Sequence, residues 1–371
     1  MEYTKTELHT HLLGILTPIE FLQFIKDIGI DSIIWPFDDN KEYDIDLLLS
    51  DSSYYDLLNA NGVVDYEFLD ILYASRTSIL KDVVKKYKTI YKLSSKENEK
   101  TVYNLFINEC LRSLVNNGVE YTEISYSFPD RIANFIMDPD LVDKIKVRFL
   151  LSTSRRTLVK SIEPKARTFE KSARDLEKVL DGPNAVGFDI MGQETKLDDT
   201  ERDYSNEHFS FKRKMELILE KLVNFKNSTF RIHSGETPDS FNNSLLILNY
   251  LEEIVDERGY QLPPPEIRIG HGLYFNNETE YIRLLKKFNC IIEINASSNI
   301  SLSNIEMFDE IPYMFYYTNK VNMVISTDGH GMYGTDTQFE DEIARTYMGD
   351  KAYKDGIVDF DREVLKSKGG R

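Results

Sequence analysis

Short apolar, β-branched runs alternate with amphipathic stretches along most of the chain. Eight of these runs read as strands: "KTELHTHL" (5–12), "VEYTEISYSF" (119–128), "KVRFLLSTS" (146–154), "AVGFDIMG" (185–192), "TFRIHSGE" (229–236), "EIRIGHGL" (266–273), "CIIEINASS" (290–298) and "NMVISTDGH" (322–330). Between them, stretches such as "EPKARTFEKSARDLEKVL", "FKRKMELILEKLVNF" and "ETEYIRLLKKF" carry apolar residues at helical spacing. Eight strands alternating with helices predict a (β/α)8 TIM barrel. The pattern shows no Ser/Pro/Gly-rich linker, no repeat and no low-complexity tract, so residues 1–371 are expected to form one domain.

One spacing is irregular. Residues 13–118 separate the first two strands, more chain than a single crossover needs. That segment holds "WPFDDNKEYDIDLLLSDSSYYDLL" and then a long helical pattern, and residues 36–117 are read as inserted helices capping the barrel mouth. A separate small helical domain is the alternative.

In such barrels the chemistry sits at the C-terminal strand ends. His9 and His11 end the first strand, Gly192 the fourth, His233 and Glu236 the fifth, His271 the sixth, and Asp328 with His330 the eighth. Only His208 of the six histidines lies elsewhere, which scattered core or surface histidines would not produce. Residues i and i+2 of a strand share a face, so His9 and His11 can both point inward. With His233 and Asp328 they make a nitrogen/oxygen ligand set suited to zinc, with room for water. Glu236, three residues after His233, is a carboxyl placed to carry a proton. His271 lies between glycines that would let substrate or water approach the backbone, and could hold or deprotonate the attacking water.

Composition narrows the partners. The formal charge of −17 opposes a nucleic-acid polymer or an anionic membrane surface. Two cysteines, Cys110 and Cys290, make neither a disulfide framework nor a thiolate metal site, consistent with a reducing compartment. The N-terminal "MEYTKTELHT" lacks the apolar core of a signal peptide, and no run approaches membrane-spanning length. A soluble cytoplasmic protein is expected, and its oligomeric state is left open.

The stretches "ELHTHLLG", "YTEISYSF", "VGFDIMGQE", "HSGE", "RIGHG", "EINASSNISL" and "STDG", in that order, resemble the adenosine deaminase family, which includes AMP and N6-methyl-AMP deaminases. The resemblance implies one zinc per chain, held by His9, His11, His233 and Asp328. It implies a metal-activated water that attacks C6 of a purine nucleoside or nucleotide, releasing ammonia. Glu236 would protonate N1, while His271 and Asp328 would orient the water and move its proton. Gly192 would approach the base at N3, and "EINASSN" would wall the site.

Two departures concern the substrate. Adenosine-specific members carry an Asp that holds the ribose 5′-hydroxyl where this chain has Leu13. The family's second Asp, at N7, is here Gly329, followed by His330. Losing a carboxylate at the 5′ end removes a repulsion against phosphate, so a 5′-monophosphate (AMP or dAMP) is favoured. Arg155 and Arg156 are candidate phosphate partners, and Gly329 with His330 candidate contacts to base or phosphate.

Alternatives within the class are free adenosine or deoxyadenosine, or an N6-substituted AMP. A different metallohydrolase acting on an amide or phosphoester is a second reading. The fourth strand ends in "DIMGQE" without a lysine that could bridge two metals, which counts against it. A catalytically inactive barrel binding a purine or a protein is a third, although no ligand position is missing.

Overall fold

The computed structural model describes residues 3–29, 32–34, 42–46, 99–161, 163, 166–192, 194, 196–197, 211–260 and 265–369. Among them, β1 (Thr6–His11), β4 (Tyr121–Tyr126), β5 (Lys146–Ser154), β6 (Ala185–Met191), β7 (Thr229–Ser234), β8 (Glu266–His271), β9 (Ile291–Ile294) and β10 (Asn322–Ile325) form one parallel sheet in that order. The sheet curls into a nearly closed barrel, as the alternation predicts. Each of the eight expected runs contains its strand, and the differences are at the ends. The eighth run stops as a strand at Ile325, so Asp328 lies in the following turn and His330 opens a helix.

The two further strands, β2 (Ser32–Ile34) and β3 (Glu42–Asp44), pair antiparallel. They lie in the long connection after β1, where only helices were anticipated. Of the expected insertion 36–117, residues 42–46 and 99–117 are described, and the rest falls outside the described residues.

Helices follow the strands. They are α1 (Pro18–Asp27), α2 (Glu99–Asn116), α3 (Pro129–Ala133), α4 (Phe169–Leu180), α5 (Phe211–Leu222), α6 (Asn243–Arg258), α7 (Glu278–Lys287), α8 (Ala296–Ser301), α9 (Tyr313–Thr318), α10 (His330–Tyr333), α11 (Thr337–Met348), α12 (Asp350–Tyr353) and α13 (Asp359–Val364). Their starts have chemical causes. Thr17 and Glu20 form a reciprocal capping box before α1, and Thr168 caps α4 by accepting from the Lys171 backbone N–H at 3.1 Å. No described helix is long and apolar enough to cross a membrane.

Barrel closure places the site. β1 and β10 share no regular ladder. Instead His11 N–H donates to the Asp328 carbonyl at 3.0 Å, and Asp328 N–H donates to the His9 carbonyl at 2.8 Å. The fully buried Glu7 carboxyl spans the same seam, accepting from the backbone N–H groups of His9 at 3.1 Å and Thr327 at 3.0 Å. Burial pushes that carboxyl up to about 8.

Below the site the barrel interior is ionic, not purely apolar. Arg231 and Arg268, both fully buried, meet at Glu293: Arg231 Nε lies 2.8 Å from Glu293 Oε2, and Arg268 Nη1 lies 3.1 Å from Oε1. Arg268 also pairs with Glu123 at 3.0 Å, and Lys368 closes the lower end on Glu123 and Glu266. Removing one member would strand an uncompensated charge, a change of about 3–5 kcal/mol.

Candidate active site

His9 and His11 point the same way from β1, as their spacing requires, and meet His233 from β7 and Asp328 from the turn after β10. His9 Nε2 is 3.0 Å from His233 Nε2, and His11 Nε2 is 3.2 Å from the same atom. Asp328 Oδ1 is 3.3 Å from His11 Nε2 and 3.6 Å from His9 Nε2. These separations suit one ion, since tetrahedral ligands at about 2.0–2.1 Å from a metal lie about 3.3 Å from one another.

The outer partners fix which nitrogens are available. His9 Nδ1 donates to Glu293 Oε2 at 2.8 Å, and His233 Nδ1 donates to Asp189 Oδ1 at 3.1 Å. With Nδ1 donating outward, each Nε2 is the nitrogen turned to the shared centre, where its lone pair is available to a cation. Burial and neighbouring cationic groups keep His9 well below its ordinary range and His11 down to about 3, so both imidazoles are neutral, whereas the Asp189 carboxylate, outweighing burial, holds His233 above its ordinary value. The donor set therefore fits a metal ion on its own chemistry.

His271 and Asp328 are held in the left-handed backbone region, at φ 71° and 64°. Non-glycine residues adopt it at a cost, and such strain gathers at functional sites. His271 Nδ1 donates to Asn299 Oδ1 at 3.1 Å, which leaves Nε2 as an acceptor 3.8 Å from Glu236 Oε1. Burial lowers His271 to about 4. His271, His9, His233 and Asp328 offer ligand atoms all within 4.8 Å of one another, so His271 borders the ion site. Its proximity to Glu236 suits it to proton movement.

Glu236 sits beside this group, and burial with the nearby Glu194 charge raises its carboxyl above the ordinary value. Glu194, fully enclosed, fixes the turn carrying it: it accepts from the backbone N–H of Gly235 at 3.1 Å and of Glu236 at 2.6 Å, from Ser240 Oγ at 2.5 Å and from Asn243 Nδ2 at 2.9 Å. Gly235 has φ 68°, and a Cβ there would lie 2.4 Å from the Tyr274 carbonyl oxygen, so the turn requires glycine.

Several expected contacts are placed differently. Arg155 is buried, donates to the His233 carbonyl and faces Glu194 Oε1 at 3.6 Å, so its guanidinium is tied to the turn beneath the site. Arg156 is exposed, with its backbone N–H on Ser154 Oγ. His330 is buried against Asn117, 3.3 Å from its Nδ2, and the charges that act on it are Glu20 and Asp336. It therefore turns toward α1 and α2, away from the metal-ligand group, because α10 begins there.

Leu13 is buried in the main hydrophobic cluster. Gly192 has φ 97°, and a Cβ there would lie 3.1 Å from Ser154 Oγ. Gly329 is crowded: a Cβ would lie 3.1 Å from Met332 Cβ and 3.4 Å from Gly14 Cα. The opening expected beside His271 at Gly270 is filled, since a Cβ there would lie 2.7 Å from His9 Cε1. The missing side chain at Gly270 makes room for a ligand-bearing imidazole.

Residues not singled out from the sequence complete the site: Asp189 and Glu293 behind the histidines, Glu194 beneath Glu236, and Asn299 behind His271. Tyr333 lies along the bare Gly329, where a Cβ would stand 3.3 Å from Tyr333 Cε2. The available signal was a charged residue interrupting an apolar strand, as in "GFDIM" and "IIEIN".

An eight-stranded parallel barrel with a histidine/carboxylate group at its strand ends, and a separate carboxylic acid beside that group, has the constitution of a metal-dependent hydrolase. The family model for adenosine deaminase matches residues 69–367, and the chain belongs to the adenosine deaminase family, whose characterised members are hydrolytic deaminases. N6-methyl-AMP deaminase-L of Xenopus laevis is 27% identical over 205 residues, 54% of this chain and 48% of that protein, so the match spans about half of that relative. An adenosine deaminase of Clostridium perfringens is 21% identical, with 98% of this chain and 96% of that one covered. Among solved structures, the apo N6-methyl-AMP deaminase of Arabidopsis thaliana superimposes with a TM-score of 0.61 at 18% identity, covering 99% of this chain and 92% of that one.

Proposed function

We propose that this protein is a zinc-dependent deaminase that hydrolyses the 6-amino group of an adenine nucleotide, with the 5′-monophosphate preferred over the nucleoside. The observation that carries the reading is the convergence of His9, His11 and His233, with His9 Nε2 at 3.0 Å and His11 Nε2 at 3.2 Å from His233 Nε2, and of the Asp328 carboxylate, with a raised, half-buried Glu236 beside them. Zinc held by His9, His11, His233 and Asp328 would supply an activated water.

The chain's own groups perform the rest. Glu236, kept protonated more readily than an ordinary carboxyl, donates to N1, which draws electron density from C6. His271 Nε2, its tautomer set by Asn299, accepts the proton released as water adds to C6. One proton of the water passes by way of His271 to the departing nitrogen, releasing ammonia, or an amine from an N6-substituted base; the other restores Glu236, and the 6-oxo purine keeps the proton on N1. Glu194 and Arg155 hold the Glu236 turn so that its carboxyl need not reorganise during the reaction.

The preference for a monophosphate is supported by the N6-methyl-AMP deaminase among the relatives and by Leu13, which brings no carboxylate to the chain after His11. Formation of the 6-oxo product from AMP, dAMP, N6-methyl-AMP, adenosine and deoxyadenosine tests it. A monophosphate should exceed its nucleoside in kcat/KM by about tenfold or more, an advantage of about 1.4 kcal/mol. Faster turnover of adenosine would remove the phosphate preference, and no product from any of the five would remove the deaminase reading.

A further inference from the structure

Arg231 lies two residues before His233 on β7, on the same inward face and fully buried. Its guanidinium meets the outer partners of two ligand histidines at once. Nε lies 2.8 Å from Glu293 Oε2, the atom that accepts from His9 Nδ1 at 2.8 Å. Nη1 donates to Asp189 Oδ2 at 3.4 Å, and the other oxygen of that carboxylate accepts from His233 Nδ1 at 3.1 Å. Nη1 also donates to Ser125 Oγ at 2.7 Å, and the Ser125 hydroxyl donates onward to Asp189 Oδ2. Nη2 donates to the Leu8 carbonyl, which belongs to the peptide group joining Leu8 to His9.

One rigid fork therefore touches both carboxylates and the backbone of β1. β7 supplies His233 and β1 supplies His9, and these strands are not neighbours in the sheet. With no shared ladder, the 3.0 Å between their Nε2 atoms has to be set across the barrel interior. A planar guanidinium fixes several directions together, which a single ammonium on a flexible stem cannot do. Filling the interior does not by itself call for such a group, because well-packed apolar side chains are often as stable as a buried ion pair.

Resting on the metal-ligand part of the proposed function, we propose that Arg231 is a positioning residue for the metal: through Glu293 and Asp189 it sets the orientation and spacing of the His9 and His233 imidazoles. Loss of the fork with the positive charge retained then weakens the hold on the ion while the barrel stays folded.

Zinc affinity, measured by competition with a chromophoric chelator, tests this on the wild type, Arg231→Lys and Ser125→Ala. Circular dichroism and the melting temperature of each metal-free protein report the fold, and the visible absorption of the cobalt-loaded proteins reports ligand geometry. Arg231→Lys should bind zinc about 10- to 100-fold more weakly, with an altered cobalt spectrum, the usual effect of disturbing the groups behind a ligand histidine. Ser125→Ala removes the hydroxyl shared by Arg231 and Asp189 without stranding a charge. It should weaken zinc binding by about 3- to 10-fold, the contribution of one hydrogen bond.

A folded Arg231→Lys that binds zinc within about twofold of the wild type would overturn the assignment. If only its melting temperature falls, Arg231 is a structural member of the ionic interior and nothing more. Weaker zinc binding with an unchanged cobalt spectrum would overturn it too, since the imidazoles would not have moved. Should Arg231→Lys fail to fold, Ser125→Ala decides, and wild-type zinc affinity there would overturn the assignment. Absence of zinc binding by the wild type would overturn both this assignment and the deaminase reading, whereas tight zinc binding without deamination of any adenine compound would remove only the latter.

Discussion

Glu236→Gln should lower turnover by about 10²–10⁴-fold, the range expected for loss of a positioned general acid, while metal content stays at the wild-type level. The substitution keeps the shape of the side chain and removes its exchangeable proton. Glu236 stands outside the His9, His11, His233 and Asp328 group, so the ion should not be released. The turn itself is held by Glu194 through the backbone N–H groups of Gly235 and Glu236, which glutamine at 236 leaves unchanged. Affinity for the 6-oxo product should therefore move little. Steady-state kinetics and metal analysis on one preparation check both halves, and a variant with wild-type kcat would refute the proton-donor role.

His233→Ala should be the more damaging change, abolishing both metal retention and activity. His233 is the hub of the ligand group, within 3.0 Å of His9 Nε2 and 3.2 Å of His11 Nε2. Its removal leaves Asp189 still facing Arg231 at 3.4 Å, so the barrel interior keeps its charge balance and the fold should survive. Less than about a tenth of the wild-type metal should remain after dialysis, since loss of one of four ligands weakens such sites strongly. Elemental analysis with circular dichroism checks this, and full metal occupancy in a folded variant would refute the ligand assignment.

The architecture was legible because a barrel strand buried on both faces is a short apolar run, and eight such runs alternate with helices. The gathering of histidines was legible for a related reason: strand ends converge on one face of a barrel, so His9, His11, His233, His271 and Asp328 meet although widely separated in the chain. Less could be read where a side chain's direction depends on backbone that is not strand. His330 was placed on a strand continuing past Asp328, but the positive φ of Asp328 breaks the alternation, and a helix carries His330 toward Asn117.

Arg155 and Arg156 look equivalent in "TSRRT", yet adjacent residues diverge at a strand end. Arg155 turns inward under His233, and Arg156 turns to solvent. Glu194 shows a further limit: its importance lies in accepting backbone N–H groups of a turn 41 and 42 residues away, a contact that composition and periodicity do not encode.

The central claim, hydrolysis at C6 of an adenine nucleotide, is tested most directly by running the reaction in ¹⁸O-water with the metal-loaded protein and AMP, then weighing the purine product by mass spectrometry. The account predicts a 6-oxo product carrying one ¹⁸O on C6, formed in equal amount to the ammonia released. AMP recovered unchanged, or ¹⁸O found only in phosphate or ribose after cleavage of another bond, would contradict it.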